Sequence, residues 1–371
     1  MSALHALVTA SVVGFHAAGR PIPAPALRAP LAARISNVVL AEEAGAPGVA
    51  NAYKAAGVAS AVAWTGCALI TLSVHPQLAV NAMCGRRHNV LTIAQALALP
   101  LPLAWAVISS LRSAAEVGWK RLASATYRRL NLGLAAASFW MAAAVFNMPA
   151  FATGFDMYPP LFKLAATAAH ALTAVLCVGV WVRTVEPTSS GHYVPRIVRG
   201  LAGSVASLAP KGASDDPDAP AGRDGRAEYA LCAALFAWFA ALAVVSPFPM
   251  ATVPSILGSR LSRAASGWVF LAAVVSYVLK DATERGRAAA STFVTLRNGL
   301  RLGCGLHLLI LVSKLVGIDG GGLLLPGRGL WLYYRNMMAV PFTAAVAGAT
   351  HALALFVTST TPPEGEAAEG K

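Results

Sequence analysis

Residues 160–182 read PLFKLAATAAHALTAVLCVGVWV, an apolar run interrupted only by Lys163 near its start and His170 in its middle. About 20 predominantly apolar residues are what a helix needs to cross the hydrocarbon core of a bilayer. Leu, Ala and Val follow one another here without the period-two alternation of a half-buried strand. The stretch predicts a transmembrane helix, and comparable runs surround it. In the first half they cover 57–75, 90–111 and 130–152; in the second they cover 229–247, 264–280, 300–318 and 336–358. Pro100 and Pro102 fall inside the second run and predict a kink in it. The expected fold class is therefore all-α and integral to a membrane, with about eight transmembrane helices.

Composition leads to the same reading. The chain has 371 residues, of which 57% are apolar and 12% charged, and its mean hydropathy is +0.60. Soluble domains average about 25% charged residues, and apolar surface on this scale exposed to water would aggregate. The net charge of +13 does not indicate a nucleic-acid partner, because no basic run is interleaved with exposed aromatic residues. Cys67, Cys84, Cys177, Cys232 and Cys304 form no CxxC pair. They read as small buried hydrophobes, and no metal site is expected from them.

Loop charges set an expected orientation. Most of the 29 Lys and Arg residues fall in the N-terminal segment, the loops 112–129 and 280–301, and the central linker. By the positive-inside rule, that side and both termini face the stroma or matrix.

The chain also matches itself. Laying Pro76 on Pro249 brings Val80 onto Val253, Gly85 onto Gly258 and Arg87 onto Arg260; laying Pro160 on Pro341 brings His170 onto His351. The Gly-rich loop 317–329 accommodates the difference in register. Two parallel four-helix repeats are expected, because an even number of spans returns the chain to the same side. Their bounds are 51–183 and 229–359. A disordered linker at 184–228 joins them, and an acidic disordered tail follows at 360–371. Residues 1–50 form a targeting segment in which Arg20, Arg28 and Arg34 precede the first acid, Glu42. An apolar run followed by an acid-free basic one resembles the bipartite leader of algae with complex plastids. That resemblance implies a plastid envelope or thylakoid membrane; a mitochondrial inner membrane and an uncleaved arm are the alternatives.

Histidine is the one chemically versatile residue inside the spans. His170, His307 and His351 are candidates for a ligand or proton path, since ionisable groups in a membrane are costly enough to mark function. Their possible uses are proton or solute contact, or axial ligation of a haem b. Arg86, Arg87, Arg260 and Arg263, in turns on the poorly charged side, are candidates for interfacial anion or lipid contact. No catalytic motif is present, and the Gly-rich loop lacks the Lys-Ser/Thr of a phosphate loop. The expected function is transport of a small solute or ion along a path between the repeats. A haem- or pigment-binding redox or photosynthetic accessory protein, or a structural subunit of a membrane complex, are the competing readings.

Overall fold

The computed structural model describes residues 46–74, 94, 97–146, 160–184, 226–245, 256–316 and 339–360. Among these residues the chain is helical apart from short turns, with no strand. The elements are α1 (Pro47–Val74), α2 (Pro100–Val117), α3 (Trp119–Leu122), α4 (Ala125–Phe146), α5 (Pro160–Thr184), α6 (Arg226–Val245), α7 (Ile256–Glu284), α8 (Ser291–Val316) and α9 (Ala339–Thr360). Among the described residues three helices are long and apolar enough to cross a membrane, over Ala125–Phe146, Lys163–Thr184 and Ala264–Glu284; shorter apolar helices cover Ala227–Leu242 and Val346–Ser359. The expected leader, most of the linker, the Gly-rich loop and residues 361–371 lie outside the described residues.

Helix ends differ from the charge-free runs in an instructive way. The second run was expected to bend at its prolines, and the chain does break there: residues 97–98 are helical, Leu99 is a turn, and α2 begins at Pro100. Pro100 and Pro102 thus occupy the first turn, where a backbone N–H has no intrahelical partner to lose and the fixed φ suits a helix. Elsewhere the helices run past the charges expected to bound them. Arg112 lies within α2, Lys280 within α7, and Arg297 and Arg301 within α8. A charged side chain ends an apolar surface without ending a helix, so the loops 112–129 and 280–301 shrink to tight turns. Likewise α1 opens at Pro47 and α6 at Arg226, each a few residues ahead of the expected repeat boundary.

Glycine makes both turns. Gly118 sits at φ 133° and donates its N–H to the Ala114 carbonyl at 3.1 Å, ending α2 in a conformation that a Cβ disfavours. Gly286, at φ 60°, ends α7. Its N–H reaches the Thr283 carbonyl at 3.1 Å, and the Arg287 N–H reaches Ala282 at 2.8 Å. This pair of bonds is the Schellman closure of a helix.

Packing follows a regular scheme. Helix α1 packs on α2 and α5, and α4 on α5; in the second half α6 packs on α7 and α9, and α8 on α9. Three helix pairs join the halves: α4 with α7, α2 with α8 and, less extensively, α2 with α7; the first two are the main crossings. Both crossings are close because glycine lies in them. A Cβ on Gly133 would meet the Val274 Cγ1 at 2.9 Å, and one on Gly267 would meet the Ala137 carbonyl oxygen at 3.0 Å. In the other crossing, a Cβ on Gly299 would meet the Ala106 Cβ at 2.4 Å, and one on Gly303 the Leu99 Cδ1 at 3.0 Å. Small residues that let backbones approach are the packing device of helices without a hydrophobic driving force between them.

On α5 and α8 large apolar side chains face outward while polar ones are buried, unlike the helices of a water-soluble bundle. On α5, Leu164, Leu172, Val175 and Val182 are exposed while His170, Thr173 and Thr184 are buried. On α8, Leu302, Leu309 and Val312 are exposed while His307 is buried. Trp105 and Trp238 point outward at 70% and 60% exposure. Such a surface is compatible with a bilayer as solvent.

Buried hydrogen bonds tie the elements together. The fully buried Tyr53 of α1 donates its hydroxyl to Oδ1 of Asn131 on α4, and the Asn131 Nδ2 donates to the Tyr127 carbonyl at 3.0 Å. Tyr53→Phe leaves that carboxamide oxygen without its donor, and is expected to cost about 1 kcal/mol. Thermal unfolding in detergent measures the loss; a Tm unchanged from the wild type refutes it.

Candidate functional site

The three histidines occupy interiors of separate halves. His170 lies on the buried face of α5, one turn before Thr173. The Thr173 Oγ1 donates to the Ala169 carbonyl at 2.8 Å and lies 3.4 Å from the Ser60 Oγ of α1. The Nδ1 of His170 is buried without a hydrogen-bond partner among the described residues. On α4, which packs against α5, Met141 is also fully buried.

In the second half the structure stacks His307 of α8 on His351 of α9. Their ring centroids are 4.1 Å apart with planes 9° from parallel. Phe236 of α6 meets His351 edge-on at 5.4 Å. The Nδ1 of His351 lies 2.7 Å from the Ala347 carbonyl oxygen. A carbonyl only accepts, so Nδ1 carries the proton in this bond, and the neutral ring presents a bare lone pair at Nε2. That nitrogen is buried and has no hydrogen-bond partner among the described residues. Burying an unpaired polar atom costs about 1–3 kcal/mol, a cost shared with the buried side-chain atoms of Ser138, Thr167 and Ser276 that also lack a partner among the described residues.

This geometry bears on two of the expected uses. A haem held by two histidines needs their nitrogens aimed at one iron from opposite faces of the porphyrin. Rings stacked side by side at 4.1 Å leave no room for the macrocycle, so His307 and His351 as arranged do not fit a bis-histidine haem. His170 and His351 occupy different helix groups, since α5 packs on α1 and α4 whereas α9 packs on α6 and α8. Among the described residues no cluster of three or more His, Cys, Asp or Glu is arranged to hold a metal ion.

Of the arginines expected at the poorly charged side, Arg86 and Arg87 lie outside the described residues. Arg260 and Arg263 fall within the first turns of α7 and not in a turn before it.

The sequence did not single out a second polar region, at the opposite ends of these helices. Arg129 of α4 donates to the Asp281 carboxylate of α7 at 3.1 Å and lies over the Tyr277 ring at 4.8 Å. Arg285 donates to the same carboxylate at 2.8 Å. The Tyr127 hydroxyl meets the Thr292 Oγ1 at 2.8 Å. Arg121 donates to the Tyr127 hydroxyl at 3.2 Å and rests over its ring. Arg287 rests over Phe293 and Arg183 over Trp119. The two basic segments 112–129 and 280–301 therefore meet at one end of the bundle. No protein family matches the chain, and neither does any curated protein or solved structure.

Proposed function

We propose that the chain is a duplicated membrane protein of eight spans that moves a small solute or ion, a proton in the simplest case, using the buried histidines of each half. The observation that carries the reading is the Nε2 of His351, an unpaired acceptor in an apolar interior. Imidazole is the side chain that takes up and releases a proton near neutral pH. The closely packed glycine crossings between the halves favour placing these contact points inside each half.

Several features support duplication. The packing scheme maps onto itself when α1, α2, α4 and α5 exchange with α6, α7, α8 and α9. At one constant register, the ion pair Arg112–Glu116 falls on Lys280–Glu284, and the positive-φ Gly118 falls on Gly286. At a register two residues shorter, Thr126, Tyr127, Leu130, Gly133 and Leu134 fall on Thr292, Phe293, Leu296, Gly299 and Leu300. The glycine contacts obey the same correspondence: Gly133 against Val274 mirrors Gly299 against Ala106, and Ala137 against Gly267 mirrors Gly303 against Leu99. A two-fold axis along the membrane normal relates parallel halves of this kind. The acid-poor leader supports a plastid membrane, and the basic end supports termini on the stromal side.

Protein reconstituted into vesicles, driven by a potassium diffusion potential and followed with an internal pH dye, tests the function. The wild type is expected to pass protons faster than empty vesicles, and His351→Leu is expected to lose most of that flux. Flux equal to that of empty vesicles, or an undiminished rate in the variant, removes the proton reading.

A further inference from the structure

We propose that Arg121 and Arg287 form a symmetry-related pair of binding positions for the phosphate of an anionic membrane lipid. The proposal rests on the duplicated membrane architecture above and adds a ligand to its basic end. Arg121 lies 5.9 Å from the Tyr127 ring centroid and Arg287 lies 5.8 Å from that of Phe293. In each half the arginine precedes its ring by the same spacing, and Arg121 and Tyr127 fall on Arg287 and Phe293 in the register that matches Gly133 to Gly299. Tyr has become Phe between the halves, so the hydroxyl is dispensable to the arrangement. The cation over a ring is what both halves keep.

Local structure fixes both arginines. Arg121 stands in the short helix α3 directly after the Gly118 break. Arg287 is the residue whose N–H closes the Schellman turn at Gly286. The two positions are linked across the end of the bundle, because Arg121 bonds Tyr127, Tyr127 bonds Thr292, and Thr292 adjoins the Phe293 beneath Arg287. Tyr127 and Thr292 come from different halves, so the arginines flank the pseudo-two-fold axis.

Charge leaves this pair available, as it does Lys120 and Arg183, and the matching ring in both halves sets it apart. The acids at this end are already paired: Glu116 with Arg112, Glu284 with Lys280, and Asp281 with both Arg129 and Arg285. Arg121 and Arg287 are exposed and make no salt bridge among the described residues. A ring orients a guanidinium without neutralising it. The remaining N–H groups are left for an acceptor, and a phosphate oxygen pair matches their planar fork. Tyr127 and Phe293 are buried in the bundle, whereas the two guanidiniums are exposed at its basic end, the level at which cationic side chains meet lipid phosphates.

The test reads lipid retention. Full-length protein is reconstituted into vesicles of phosphatidylcholine with phosphatidylglycerol, extracted, and weighed by native mass spectrometry. Wild type is expected to retain two phosphatidylglycerol molecules, Arg121→Gln or Arg287→Gln one, and the double variant none. Arg121→Lys with Arg287→Lys keeps the charge but not the fork, and is expected to retain less than the wild type. Its retention decides the matter if the Gln variants fail to fold. Retention undiminished in these variants, or equal for phosphatidylcholine, overturns the proposal. Inorganic phosphate that displaces the lipid at equal concentration assigns the positions to a soluble anion and overturns it too. Protein that fails to enter any vesicle refutes the membrane reading, whereas protein that enters without lipid preference refutes only this pair.

Discussion

Gly299→Ala is expected to destabilise the protein by about 2 kcal/mol, although alanine is the better helix former. Two effects oppose one another. Replacing a mid-helix glycine by alanine gains about 1 kcal/mol in propensity. Against that, the new Cβ would stand 2.4 Å from the Ala106 Cβ and 3.0 Å from the Pro102 carbonyl oxygen. Neither neighbour is the free end of a flexible side chain, so α2 and α8 have to separate. Overpacking of this kind costs about 1–3 kcal/mol, and the rigidity of both neighbours puts this site at the upper end. Gly299→Leu is expected to prevent the halves from docking altogether.

The glycine of the other crossing, between α4 and α7, supplies an internal control. A Cβ on Gly133 would meet the Val274 Cγ1 at 2.9 Å and the Val274 Cβ at 3.1 Å. Its obstacle is mainly the two Val274 methyls, so Val274→Ala is expected to restore most of Gly133→Ala, leaving only the Cβ contact at 3.1 Å. Ala106→Gly restores Gly299→Ala only in part, because the Pro102 carbonyl remains. Melting temperatures in detergent decide the order, with Gly299→Ala falling by about 3 °C, because an unfolding entropy of about 2 cal/mol/K per residue makes 1 kcal/mol worth little more than about 1 °C in a chain this long. Equal losses at the two glycines would show that the crossings are looser than the structure has them.

The sequence displayed helix content and helix location well, because both are local properties. Residues 160–182 form a helix that extends to Thr184, and the apolar runs around 130–152 and 264–280 overlap α4 and α7. Boundaries were less legible: the break at Pro100 showed in the sequence, whereas Arg112 and Lys280 read as helix ends although both helices continue past them. The polar links were not legible at all. Tyr53 and Asn131 lie 78 positions apart, Arg129 and Asp281 152, and Tyr127 and Thr292 165. Nothing in one segment announces its partner in another. The histidines were visible by residue type alone. Their stacking depends on which faces of α8 and α9 meet, and apolar residues surround each helix too evenly to show that. Arg121 and Arg287 were in principle detectable, because each precedes an aromatic residue by the same interval. That signal emerges only at the register that matches Gly133 to Gly299.

Asp281→Asn is expected to cost about 2 kcal/mol and to loosen the halves at their basic end. Asp281 is held at 12% side-chain exposure and accepts from Arg129 of the other half as well as from Arg285 of its own. Removing one partner of a fully buried pair costs about 3–5 kcal/mol. Here Arg129 and Arg285 keep 29% and 52% exposure, so water and salt screen part of the loss. A double-mutant cycle with Arg129→Gln isolates the bond between the halves, and is expected to give a coupling of about 1 kcal/mol. The same cycle on Arg112 and Glu116, exposed at 47% and 50% along one helix, is expected to give about 0.3 kcal/mol. The comparison holds residue chemistry nearly constant and varies only burial and span. A larger coupling at Arg129–Asp281 means that the charges fix how the halves sit against each other. Equal couplings would leave that task to the glycine crossings alone, and Asp281 would then act only as the local partner of Arg285 at the end of α7.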